Sequence, residues 1–159
     1  MPTEKMPITV FGKAQLESEL KKLMHEQRPA VIRAIEEARS HGDISENAEY
    51  DAAKEQQAMI EGRIAEIQSK IAIAEVVDPT TIKSDRIVFG AHFTVTDVDT
   101  DEEQSYQIVG VDEADVKSGK ISVMSPLARA VIGKQVGDIV VVRSPKGDKE
   151  FEVKVFSFK

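Results

Sequence analysis

At Val76-Val77-Asp78-Pro79 the apolar residues of this chain change period. Before that point they recur every three or four positions, and after it they alternate every two. A side chain returns to the same face of a helix after about 3.6 residues and of a strand after about two. Separate blocks of the two patterns call for helix first and sheet second. The expected class is α+β, with a long antiparallel helical hairpin in residues 1–78 and a sheet packed on a short helix in residues 79–159.

The helical block runs from Thr9, which follows Pro7 and suits an N-cap, to about residue 76. Leu16, Leu20 and Leu23 lie four and three apart, with Val31, Ile35 and Ala38 beyond them. Ile60, Ile64, Ile67, Ile71 and Ala74 form a second seam of steps of four and three, the spacing of a coiled coil. Gly42 stands where the first helix would stop. Pro29 lacks a backbone donor and should disturb that helix within its length. Each arm has about 30 residues, or about 45 Å at about 1.5 Å per residue. So short a connection forces the arms antiparallel. Near it Ala34, Ala38, Ala48, Ala52 and Ala53 are expected to face one another and keep the end narrow. The alternative, two helices of a compact bundle, lacks a third helix to complete it.

In the second block the strand candidates are Ile87-Val88-Phe89, Phe93–Thr96, Tyr106–Val109, Ile139–Val142 and Phe151–Phe156. Asp99–Glu103 reads as a polar turn, and Ser144-Pro145-Lys146-Gly147 suits a type I turn. Ser125, Pro126 and Gly133 mark the cap, first position and stop of one short helix. A small antiparallel sheet wrapped on that helix is expected, with Phe89, Phe93, Tyr106 and Phe156 in its core.

Asp43-Ile44-Ser45-Glu46 reads first as a capping box, with Asp43 at N-cap and Glu46 at N3, where negative charge also favours the helix dipole. The same arrangement sets two carboxylates about one turn apart at the end of the hairpin. Mg²⁺ demands near-octahedral oxygen coordination and keeps waters where protein ligands are few. Asp43 and Glu46, with Ser45 and Asn47 as neutral helpers, make half of such a site. It would hold the ion weakly alone and be completed by whatever surrounds the tip. In a two-metal phosphoryl site such a half can recruit an ion and activate water.

Composition narrows the partners. With 28 acidic against 21 basic residues the chain carries a net charge of -7, and neither half is basic. Tight autonomous binding of nucleic acid, which needs several phosphates neutralised by Lys and Arg, is disfavoured. The chain has no cysteine, which excludes disulfides and thiolate metal sites and fits a reducing cytoplasm. No apolar run is long enough for a membrane span, and Met1–Met6 lacks the apolar core of a secretory signal. His25, His41 and His92 offer no ligand spacing, and Asp112-Glu113-Ala114-Asp115 reads as a polar loop. Arg28, Arg33, Arg39, Lys54 and Arg63 read first as solvated helix surface or as partners of Glu on the same helix.

Together these motifs resemble the bacterial Gre family of transcript cleavage factors. The likeness is carried by Thr9-Val10-Phe11-Gly12, Arg28-Pro29, Ala38-Arg39, Gly42–Tyr50, Ala53-Lys54, Glu61-Gly62-Arg63-Ile64, Tyr106–Gly110, Ser125–Ala128 and Val136-Gly137-Asp138. Ile44, where Leu is common, is a mild departure. The run Ala48–Gln57 and the absence of a broad basic face on the hairpin resemble the GreA type more than the GreB type. The resemblance implies that residues 1–78 form a coiled coil which enters the secondary channel of RNA polymerase. It implies that residues 79–159, FKBP-like in fold, bind the polymerase. Asp43 and Glu46 would share a Mg²⁺ with the polymerase active centre, which then cleaves its own backtracked transcript and so releases arrested elongation complexes. The factor would be no enzyme by itself. It would meet the RNA 3′ end and template DNA only through the polymerase, as a cytoplasmic monomer. Arg39 and Lys54, nearest the tip, with Ser45 and Asn47, would be candidates for contact with RNA or the channel wall.

Two rival functions have different requirements. A peptidyl-prolyl isomerase on the second block needs an aromatic-lined pocket, for which that block has few aromatics. A helical adaptor would not need Asp43 or Glu46 at all.

Overall fold

A computed structural model describes residues 5–40 and 48–159. Two compact units are present, one of Lys13–Ala74 and one of Lys5–Gly12 with Glu75–Lys159. The class is α+β, as the change of period requires.

Helix α1 (Val10–Lys22), which lies in the first unit from Lys13 onward, passes through a π-helical turn (Leu23–Gln27) into α2 (Arg28–Ser40), and α3 (Ala48–Ile73) follows. Leu16, Leu23, Val31, Ile35 and Ala38 are buried on one side, and Ala53, Ile60, Ile64 and Ile67 on the other. Burying one such aliphatic side chain is worth about 1.5–3 kcal/mol, so this seam holds the helices together. Arg39 meets Tyr50, Arg28 meets Glu61, and Glu19 meets Arg63, an order that makes the arms antiparallel.

The disturbance expected at Pro29 takes the form of an extra residue in the turn before it. The Arg28 N–H donates to the Leu23 carbonyl, five residues back. In a regular helix the Pro29 ring would press on the carbonyl four residues back, at His25. Leu23 and Val31 are eight positions apart, one more than a heptad, and the wide turn absorbs the surplus. Without it Val31, Ile35 and Ala38 would rotate off the seam. The alanines are a partial correction. Ala38 and Ala53 are buried, but Ala34, Ala48 and Ala52 are exposed, because they fall beside the seam positions.

In the second unit, β1 (Met6–Thr9) and β2 (Ala74–Val77) pair as a two-stranded sheet. The helix therefore gives way before residue 76, where β-branched Val76 and Val77 favour extended backbone. Thr9 does cap α1, its Oγ1 accepting from the Gly12 N–H at 3.1 Å.

The main sheet has the order β5-β4-β3-β7-β6. Its strands are β3 (His92–Asp97), β4 (Glu103–Val109), β5 (Lys120–Ser122), β6 (Ile139–Val142) and β7 (Lys149–Ser157). Contrary to a purely antiparallel sheet, β4 and β5 are parallel, with Gln107 opposite Lys120. Two short 3-10 turns, Val111–Glu113 and Val116–Ser118, return the chain to run in the same direction. Ile87-Val88-Phe89 is no strand. Ile87 is nonetheless fully buried and exchanges backbone bonds with Gly133 and Lys134 at 2.7 and 2.9 Å.

Helix α4 (Pro126–Val131) sits against this sheet, capped by the Ser125 hydroxyl, which accepts from the Ala128 N–H at 3.3 Å. Its Ala128 and Val131 join Phe93, Val95, Ile108, Val140, Phe151 and Val153 in one apolar core. Phe89, Tyr106 and Phe156 pack at the edge of that core. Among the described residues no helix is long and apolar enough to cross a membrane.

Candidate functional site

Asp43, Ser45, Glu46 and Asn47, the residues picked out for metal binding and their neutral helpers, lie outside the described residues, as does His41. The described residues nearest them are the last turn of α2 and the first turn of α3. There the Arg39 guanidinium carbon sits 5.7 Å from the centre of the Tyr50 ring, within cation–π range. This contact ties the two arms where the chain enters and leaves the acidic segment. The first turn of α3 carries Glu49 and Asp51, which suits the positive end of the helix dipole. Arg39 and Lys54 are both exposed. Lys54 donates to Gln57 Oε1 at 3.2 Å along its own helix.

Further from this end the arms are clamped by two forked ion pairs. Arg28 donates to both oxygens of Glu61, at 2.8 and 2.7 Å. Arg63 donates to both oxygens of Glu19, each at 2.8 Å. Arg28 and Arg63 thus reach across the hairpin, which corrects their reading as solvated or purely intrahelical residues. Arg63 also meets Glu66 on its own helix at 3.2 Å. The hydrogen bonds from arginine hold the Glu19 and Glu61 carboxyls below their ordinary range. Lys70, and then Arg63, do the same for Glu66.

The second unit contains a buried carboxylate that the sequence hid. Glu113, read as part of a polar loop, accepts from the backbone N–H groups of Thr9 and Gly110, each at 2.9 Å, and from the Thr9 hydroxyl. A side chain at Gly12 would overlap the Glu113 carboxylate, and one at Gly110 would approach the Pro7 carbonyl at 2.7 Å. Glycine at positions 12 and 110 is therefore what lets the β1 segment and the start of α1 lie against the turn that carries Glu113. The signal in the sequence was the pair of glycines, and no single-residue pattern links Gly12 to a glutamate about a hundred positions away. Among the described residues no group of three or more His, Cys, Asp or Glu side chains is placed to hold a metal ion.

Two family models cover almost the whole chain. Residues 6–76 match the N-terminal domain of transcription elongation factors, and residues 82–158 match the C-terminal domain of the GreA/GreB transcription elongation factors. A Caulobacter vibrioides protein named transcription elongation factor GreA is 59% identical over 150 residues, 94% of this chain and 96% of that one. The protein of the same name from Acidiphilium cryptum is 55% identical over 155 residues, 98% of this chain and 99% of that one. A crystal structure of Gfh1, a GreA factor homologue of Thermus thermophilus, is 26% identical, with a TM-score of 0.45 over 96% of this chain and 99% of that one.

Proposed function

This chain belongs to the GreA/GreB family of transcription elongation factors, and on that premise we propose how it acts. It carries Asp43 and Glu46 on the helical hairpin into the secondary channel of bacterial RNA polymerase. There it stimulates the polymerase to cleave a backtracked transcript. The observation that carries the reading is the clamped hairpin, with Arg39 against Tyr50 on either side of the segment that bears both acids. Two arms fixed to each other by a buried seam and forked ion pairs can present a short acidic segment without letting its ends drift apart.

The donor set fits a partial Mg²⁺ site. Asp43 and Glu46 supply hard oxygen ligands and Ser45 and Asn47 neutral oxygens, too few to complete an octahedron. A metal held there supplies charge stabilisation at the scissile phosphate and lowers the pKa of bound water. The role of the two carboxylates is to bind and orient on the open side of the polymerase's own site. The role of the protein is to place them, so it is an activator and not an independent nuclease. In this reading exposed Arg39 and Lys54 contact RNA or the channel wall. The second unit would hold the polymerase from outside.

Transcript cleavage by a stalled, backtracked polymerase tests the proposal. The Asp43→Ala, Glu46→Ala double variant should still bind polymerase and should lose stimulation. Stimulation that survives in that variant would overturn the reading and favour an adaptor. Calorimetry should find no tight, stoichiometric Mg²⁺ binding to the free chain; tight binding would contradict the half-site.

A further inference from the structure

The sheet of the second unit turns one face to the core. On its other face a row of polar side chains crosses four neighbouring strands. Lys120 of β5 lies opposite Gln107 of β4, Gln107 opposite His92 of β3, and His92 opposite Ser157 of β7. In the next row Thr94 lies opposite Ser105, and their hydroxyls are 2.8 Å apart. Directly opposed residues share a face, so these groups converge. They line a groove of about 440 Å³, together with Lys159.

The chain has 28 acidic residues, yet among the described residues no Asp or Glu lines this groove. Among the described residues neither Lys120 nor Lys159 forms an ion pair. The Lys120 ammonium is held 4.1 Å from the centre of the Phe11 ring, which fixes it at the groove edge without neutralising it. Asp78 lines the adjoining recess, but its Oδ1 is engaged by the N–H and hydroxyl of Thr80. Burial, and then the charges of Lys159 and Lys120, lower the His92 pKa, so a positive field does reach the floor of the groove.

We propose that this groove binds the phosphate group of a small phosphorylated molecule. Ammonium groups with hydroxyl and amide donors around them are the chemistry that recognises a phosphate oxygen. The volume suits a ligand of mononucleotide size, within the roughly 300–1,000 Å³ of ordinary small-molecule sites. A long polyanion is disfavoured, because beyond the groove it would meet a protein of net charge -7. The residues that line the groove are not those of the acidic segment, and the inference stands whether or not Asp43 and Glu46 act as proposed.

The test is a heteronuclear NMR titration of the full chain at constant ionic strength. One arm uses inorganic phosphate, one adenosine 5′-monophosphate, one a short single-stranded RNA, and one chloride alone. Phosphate and the mononucleotide should give saturable shifts confined to residues 92, 94, 105, 107, 118–120 and 157. Tighter binding of the mononucleotide would assign the ligand as a nucleotide, and equal binding would assign it as the free anion. Lys120→Gln should weaken binding about 10-fold, as expected for one charge-assisted hydrogen bond, while Lys120→Arg should stay within about twofold. Lys13→Gln, a remote control, should change nothing. Shifts equal to those with chloride, shifts spread over the hairpin lysines, or unchanged binding by Lys120→Gln would overturn the proposal. So would RNA binding the groove more tightly than the mononucleotide.

Discussion

Arg28 and Glu61 face each other across the hairpin with two hydrogen bonds, from Nε at 2.8 Å and from Nη2 at 2.7 Å. The fork geometry sets the distance and the register of the two arms together, which a lysine point charge cannot do. Arg63 and Glu19 repeat the arrangement further along.

These pairs make the hairpin sensitive to acid. The Glu19, Glu61 and Glu66 carboxyls titrate below their ordinary value of 4.5 in the folded chain. Their contribution is present above that value and is lost as pH falls through the lowered one. Thermal melts between pH 6 and pH 3 should show a shallower acid loss for Glu19→Gln than for the unaltered chain. A double-mutant cycle of Glu19 and Arg63 should give a coupling of roughly 0.5–1 kcal/mol, since the pair is partly exposed. Identical pH profiles for the two proteins would contradict the assignment.

Glu113 is expected to be the costliest polar position in the second unit. Glu113→Ala strips two backbone N–H groups and a hydroxyl of their acceptor, at about 1–3 kcal/mol for each buried donor left unpaired. Gly12→Ala should destabilise as well, since its new methyl overlaps the same carboxylate. Denaturant melts give the magnitude. Amide exchange at Thr9 and Gly110 should quicken selectively in Glu113→Ala and leave β3 protected.

The π turn should depend on spacing more than on proline. Pro29→Ala restores a backbone donor but leaves eight positions from Leu23 to Val31. The wide turn should therefore persist in a crystal structure of Pro29→Ala. Deleting exposed Gln27 in that background should close it to a regular helix with the seam intact. A regular helix in Pro29→Ala alone would show that the ring, and not the register, imposes the turn.

His92 should make stability fall on mild acidification. Its folded pKa lies below the ordinary 6.5 because burial and the neighbouring lysines oppose a further charge. As pH drops through 6.5 the unfolded chain takes up the proton first, so stability declines until the lowered value is passed, and then this contribution is constant. His92→Gln should remove that part of the slope between pH 7 and pH 5, as read from thermal midpoints.

Much of the hairpin was legible in the sequence. The isoleucines of α3 repeat with helical spacing because burial demands it, and Ser125-Pro126 with Gly133 marked α4 by local backbone needs alone. Other features depend on partners remote in the chain. Strand β5 is three residues long and has no pattern of its own; it exists because Gln107–Val109 offers it an edge. Ile87–Phe89 has strand composition, yet Ile87 finds its backbone partners after α4 and not in the sheet. Arg28 and Glu61 are 33 positions apart, beyond the reach of any rule for one helix. The acidic segment was legible only as a motif. Its Asp43 and Glu46 have the spacing of a cap and of a ligand pair alike, and chemistry in a partner's presence must separate the two.

The bond from Thr9 to Glu113 spans 104 positions. On a ribosome the beginning of the chain emerges long before its acceptor does, and domains generally fold in the order they appear. The helical arms can zip together early from their own seam, but the Thr9 N–H and hydroxyl must wait in water until the later turn arrives. Thr9 is thus made well before the residue that seats it.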